Sequence, residues 1–129
     1  MDEGLKDIID KWIIKADNDL KSAKQGLECD EPVTDSICFH CQQSVEKYLK
    51  LFLQSRLNKT GRIHNIAVLL QQCIAVDATF ENLTGIEHLT DYAVALRYPD
   101  VFYIPDLEEA KEAYNQALKV KDFVLERLK

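Results

Sequence analysis

A chain of 129 residues is one domain, long enough to bury about two thirds of its unfolded surface around a single core. Its 47% hydrophobic and 29% charged residues describe an ordinary soluble globule and exclude a disordered chain. The net charge of −6 argues against a general affinity for nucleic-acid backbone, which needs clustered Lys and Arg, but leaves room for a small local basic site. No apolar run approaches the ~20 residues that span a bilayer. The opening Met1-Asp2-Glu3-Gly4 is acidic, where a secretory signal would be basic. The four cysteines fit a reducing compartment, so a cytoplasmic location is expected.

Leu5, Ile8, Ile9, Trp12, Ala16, Leu20, Ala23 and Leu27 step by three and four, predicting a long helix over residues 3–27. Asp30-Glu31-Pro32 breaks it, and Thr34 or Asp35 can cap a second helix over 34–57. On that second helix Ile37, Cys38, Cys41, Val45, Tyr48, Leu49 and Phe52 form one apolar stripe. Gln42 lies inside the edge of the stripe and Glu46 just past it. An amide placed there must find hydrogen-bond partners, which implies a buried polar network or a polar cleft. Phe39, Leu51 and Leu53 fall off the stripe, so the helix is apolar over more than one face and a homodimer is expected to cover it.

Asn58-Lys59-Thr60-Gly61 reads as a turn, followed by a shorter helix over 64–75. A fourth helix is predicted over 80–96, stopping where Pro99 disfavours helical geometry at Tyr98. Pro105-Asp106, with Glu109 three residues on, reads as a capping box opening the last helix, whose apolar stripe is interrupted by Lys121. Short connections make this an all-α chain: an up-and-down antiparallel four-helix bundle with one short additional helix, residues 1–129 forming a single domain.

Cys38-x-x-Cys41 has redox-motif spacing but sits inside a helix, away from the dipole that activates a thiolate, so core packing is the better reading. A zinc site would need Cys29 or Cys73 brought in, and no metal or cofactor is expected. Arg97 ends a helix before a proline-stiffened loop and carries a planar fork suited to phosphate; a salt bridge or a helix C-cap is its plainer role. His64, with Arg62 nearby, stands at a helix start, where capping and turn packing are the plainer roles. No Walker loop, paired-carboxylate motif or serine elbow occurs.

The double Gln followed by Glu-Lys in residues 42–47 resembles the second helix of the HEPN domain (higher eukaryotes and prokaryotes nucleotide-binding). Trp12, Lys15, Ala16, Asp19, Leu20 and Ala23 are similar to that family's first helix. His64-Asn65-Ile66 with Leu69-Leu70 resembles its short third helix, and Tyr92 with Ala95-Leu96-Arg97-Tyr98-Pro99-Asp100 the end of its fourth. HEPN ribonucleases carry an Arg followed, after four to six residues, by an acid-base His. Here those places hold Phe102, Tyr103 and Ile104, none of which shuttles a proton near neutral pH as imidazole does.

The resemblance therefore implies a non-catalytic accessory module, binding a nucleotide or RNA and partnering a separate minimal nucleotidyltransferase chain in the manner of a toxin–antitoxin pair. The expected site centres on Arg97, with Tyr98 and Asp100 in the adjoining loop and Gln42, Glu46 and His64 as neighbours. Two other readings stand beside it. One is a toxin-like ribonuclease using Arg97 with a non-His base such as Tyr103 or Asp100. The other is a purely structural dimer.

Overall fold

The computed structural model describes residues 2–58, 61–97 and 102–129, the side chains of residues 94–97 excepted. Helix α1 spans Glu3–Glu28 and is opened by Asp2, whose Oδ1 accepts from the Leu5 N–H at 2.7 Å. It buries Ile9, Ala16, Leu20 and Ala23, the inward face that the periodicity predicts. Helix α2 spans Thr34–Leu57. Neither expected residue caps it: Val33 stands at the N-cap and contributes no side-chain bond. The Thr34 hydroxyl instead donates to the Pro105 carbonyl at 2.6 Å, and the Asp35 carboxylate takes the adjacent Ser36 N–H at 2.9 Å. A cap position was traded for a tie between two distant segments. The helix ends at Asn58 in the left-handed region (φ 54°), its N–H returning to the Gln54 carbonyl.

Helix α3 spans Ile66–Val76, and Asn65, not His64, caps it through the Val68 N–H at 3.1 Å. That leaves the His64 side chain available for other contacts. The long fourth helix expected over 80–96 does not form as one unit. Asp77 opens a 3₁₀ turn over Ala78–Leu83, the chain reverses at Gly85 (φ 115°), and a second 3₁₀ turn over Glu87–Leu89 leads into helix α4, Thr90–Arg97. The physical reason lies in the spacing of the buried residues. Phe80, Leu83, Ile86 and Leu89 are three apart and all buried. On an α-helix such a row winds steadily away from one face, whereas at three residues per turn it stays on it. Gly85 supplies the positive φ that a continuous helix has no use for.

Helix α5 spans Leu107–Arg127, opened by Asp106, whose Oδ1 accepts from the Glu109 N–H at 2.8 Å. Only this half of the expected capping box exists. The Glu109 carboxylate turns away to receive the hydroxyls of Tyr92 (2.6 Å) and Tyr103. Lys121, the polar interruption of the last helix, reaches Asp17 on α1 at 2.5 Å, and that bond holds the Asp17 carboxyl below its usual range.

The end contacts fix the topology. Gly26 near the end of α1 lies against Ile37 at the start of α2, so these helices are antiparallel. Thr34 meets Pro105 at the starts of α2 and α5, and Arg56 donates to the Arg127 carbonyl near their ends, so α5 runs with α2. The 3₁₀ turns and α4 make the return leg, which completes an all-α up-and-down bundle. Helix α2 touches α1, α3, α4 and α5 and is the central element. Leu51 (0% exposed) and Leu53 (5%) are therefore covered within one chain, and the apolar surplus that motivates a dimer is largely absorbed there; Phe39 stays half-buried. Among the described residues no helix is long and apolar enough to cross a membrane.

Two outcomes test this packing. A Cβ added at Gly26 would sit 2.7 Å from Ile37 Cγ1 in the α1–α2 crossing. Gly26→Ala should therefore lower the melting temperature: overpacking costs about 1–3 kcal/mol, against a helix-propensity gain of about 1 kcal/mol. A higher melting temperature would show that Ile37 yields freely. Asp106→Ala should cost about 1 kcal/mol in urea unfolding with an unchanged m-value, the ordinary loss of an N-cap.

Candidate functional site

Helix α2 carries Gln42, Glu46 and Lys50 on three successive turns of one face, 0%, 6% and 6% exposed. Residues this polar are rarely buried unless they satisfy one another. Here they do. Gln42 Nε2 donates to Glu46 Oε1 at 3.1 Å, and Lys50 Nζ donates to Glu46 Oε2 at 3.2 Å. Gln42 Oε1 accepts from Gln43 Nε2 at 2.7 Å, which ties the ladder to its more exposed neighbours. Lys47 then reaches both Gln43 Oε1 (3.4 Å) and Asp19 Oδ2 on α1 (2.6 Å), while His40 Nδ1 lies 3.0 Å from Asp19 Oδ1. A single hydrogen-bonded series thus runs from α1 across the side of α2.

The series ends at His64, which enters from the segment before α3 with most of its side chain exposed. Its Nδ1 is 3.2 Å from Glu46 Oε2 and 3.3 Å from Lys50 Nζ. One ring nitrogen cannot accept from an ammonium and donate to a carboxylate at once. Neutral His64 with a bare Nδ1 accepts from Lys50; protonated His64 donates to Glu46 and faces Lys50 as a like charge. The cluster is therefore a buried ion pair with a solvent-facing imidazole that selects between two bonding patterns.

The structure brings together three of the expected site residues: Gln42, Glu46 and His64. The Arg97 side chain, Tyr98 and Asp100 lie outside the described residues. Lys50 was not anticipated, although its signal was present in the four-residue spacing of 42, 46 and 50. Tyr103, one candidate base, donates its hydroxyl to Glu109, and that bond raises its pKa, away from the phenolate a base would need. Phe102 and Ile104, which flank it where an acid-base His would stand, are 83% and 60% exposed.

Three of the four cysteines behave as core, and Cys29 is exposed. Cys38, Cys41 and Cys73 are buried free thiols, each pushed up to about 12 by burial, which keeps them protonated near neutral pH. Among the described residues no three metal-ligating side chains converge.

Comparison with known proteins joins these observations. The chain is similar to the crystal structure of an archaeal HEPN homologue, with 28% identity over 94% of this chain and 98% of that one and a TM-score of 0.67. Comparison with curated proteins gives no significant match. Residues 9–128 match the model of the HEPN domain. Nearly the whole bundle, including the polar ladder of α2 and the segment that delivers His64, falls inside that match, and the chain belongs to the HEPN domain family.

Proposed function

We propose that this protein is a non-catalytic HEPN module that binds a nucleotide or an RNA segment and works beside a minimal nucleotidyltransferase chain. The observation that carries the reading is the cluster of Gln42, Glu46, Lys50 and His64. Its polar groups are buried and mutually held, yet it opens to solvent at His64. Such a site offers the exposed His64 imidazole, backed by buried partners, to the edge of a base or a ribose, at little ordering cost on binding. Arg97, at the end of α4, would supply the guanidinium for an anionic oxygen, with Tyr98 and Asp100 following it in the sequence. Support for the absence of catalysis comes from residues 102–104, which hold two aliphatic or aromatic side chains and a tyrosine committed to Glu109 in place of a proton-shuttling His.

The same module is proposed to self-associate as a homodimer. With Leu51 and Leu53 covered inside the chain, the support shifts to exposed Val33, Phe102, Ile104 and Leu107 near the starts of α2 and α5.

Purified protein is expected to leave single-stranded RNA intact, because the missing His removes a contribution of typically ~10²–10⁴-fold. Cleavage that disappears in Tyr103→Phe or Asp100→Asn would instead establish the ribonuclease reading. Calorimetric titration with ATP and with a short RNA tests binding directly. Arg97→Ala, folded as well as wild type, should bind ~10-fold more weakly or worse, since a charge-assisted contact contributes roughly 1.5–3 kcal/mol. Equal binding by both proteins would move the site away from Arg97. Binding by neither would favour a structural dimer.

A further inference from the structure

A groove of about 480 Å³ opens between the C-terminal half of α2, the segment before α3, and α3 itself. Its walls are mainly Leu53, Leu57, Ile63, Leu69 and Val76, with Lys50 and Gln72 as the polar groups. The volume falls within the range typical of small-molecule sites. We propose that this groove binds an aliphatic carboxylate, the chain lying along the leucines and the carboxylate meeting the Lys50 ammonium. The groove shares Lys50 with the proposed nucleotide site, but the proposal does not depend on nucleotide binding.

Three observations choose that chemistry. The lining contains no aromatic ring, so a nucleobase would have nothing to stack on, whereas branched aliphatic walls suit a hydrocarbon chain. Leu57 remains 47% exposed within this lining, an apolar surface that a ligand chain would cover. The polar end of the lining is the Lys50 ammonium. Lys50 is buried, and of its three N–H donors one goes to Glu46 and one to His64, while the third has no partner among the described residues. Glu46 balances the Lys50 charge, and exposed Arg62, between the lining residues Gly61 and Ile63, adds a second cation to that stretch of chain. A monoanion matches this balance. A phosphate dianion would call for a fork of donors or several free backbone N–H groups, and at the start of α3 the Ile66, Val68 and Leu69 N–H groups are already bonded.

Titration calorimetry with hexanoate, octanoate and decanoate below their micelle concentrations is the test, with 1-octanol and octylammonium as controls. Affinity should rise about fourfold per added methylene, as expected for hydrocarbon leaving water. Octanoate should bind more tightly than the alcohol, and octylammonium not at all. Ala75, exposed on α3 and part of the groove wall, tolerates a larger side chain without disturbing the core. Ala75→Phe should abolish octanoate binding while leaving ATP titration as in wild type. Replacing Lys50 by Met together with Glu46→Gln avoids an orphaned buried charge and should erase the preference for octanoate over octanol. No heat at about millimolar octanoate, no dependence on chain length, or unchanged binding in Ala75→Phe would each overturn the assignment. Retention of octanoate binding by Arg97→Ala would separate this groove from the proposed nucleotide site, and its loss there would overturn the groove as an independent site.

Discussion

Glu46 and Lys50, one turn apart on the central helix and nearly sealed from water, set the terms for what packs around them. Taking two charges out of water costs more than their mutual attraction returns unless further hydrogen bonds complete both groups. Gln42 completes one carboxylate oxygen, and His64 stands within reach of the other and of the ammonium. The segment before α3 must therefore arrive at this level of α2, and Asn65 can then cap α3 one residue later. A polar cluster that would be a liability in a plain core becomes a device for fixing where a connection crosses. It also leaves an imidazole at the surface that bonds Glu46 when Nδ1 carries a proton and Lys50 when it does not.

The opposite end of the bundle is organised by a second set of polar ties, all directed at the start of α5. Thr34 holds the Pro105 carbonyl, Asp106 caps the helix, and Glu109 gathers the hydroxyls of Tyr92 from α4 and Tyr103 from the loop. These bonds converge within a few residues, and so Tyr103 is held although its neighbours Phe102 and Ile104 face solvent. The anchoring has a chemical consequence. The bond to Glu109 raises the Tyr103 pKa and so favours its protonated hydroxyl.

The polar interruptions of otherwise apolar helices proved the most telling local signals. Gln42 in α2 and Lys121 in α5 break their stripes, and each has a specific partner from another part of the chain or the next turn of its own helix. Glu109 shows the opposite case. Its spacing from Asp106 fits a capping box, yet its carboxylate is taken by two phenols that no local pattern reveals.

The sequence by itself determined α1, α2 and α5 almost to the residue, because long apolar periodicity, Asp30-Glu31-Pro32 and Asp106 act through the local backbone. It also determined that Gln42 needs partners and that no His follows Arg97 at the required distance. Tertiary structure alone decided the rest. The row Phe80, Leu83, Ile86, Leu89 fits a helix on paper; its three-residue spacing becomes a 3₁₀ path once one face must meet the core and Gly85 turns the chain. Leu51 and Leu53 look like surface awaiting a second copy until the helices packed around α2 are seen to cover them. Lys50, although spaced to meet Glu46 on its own helix, looks like a solvated charge until the segment bearing His64 is brought to it. In each case the deciding interaction joins groups distant in the chain, and side-chain spacing along one helix carries no record of what another helix will place against it.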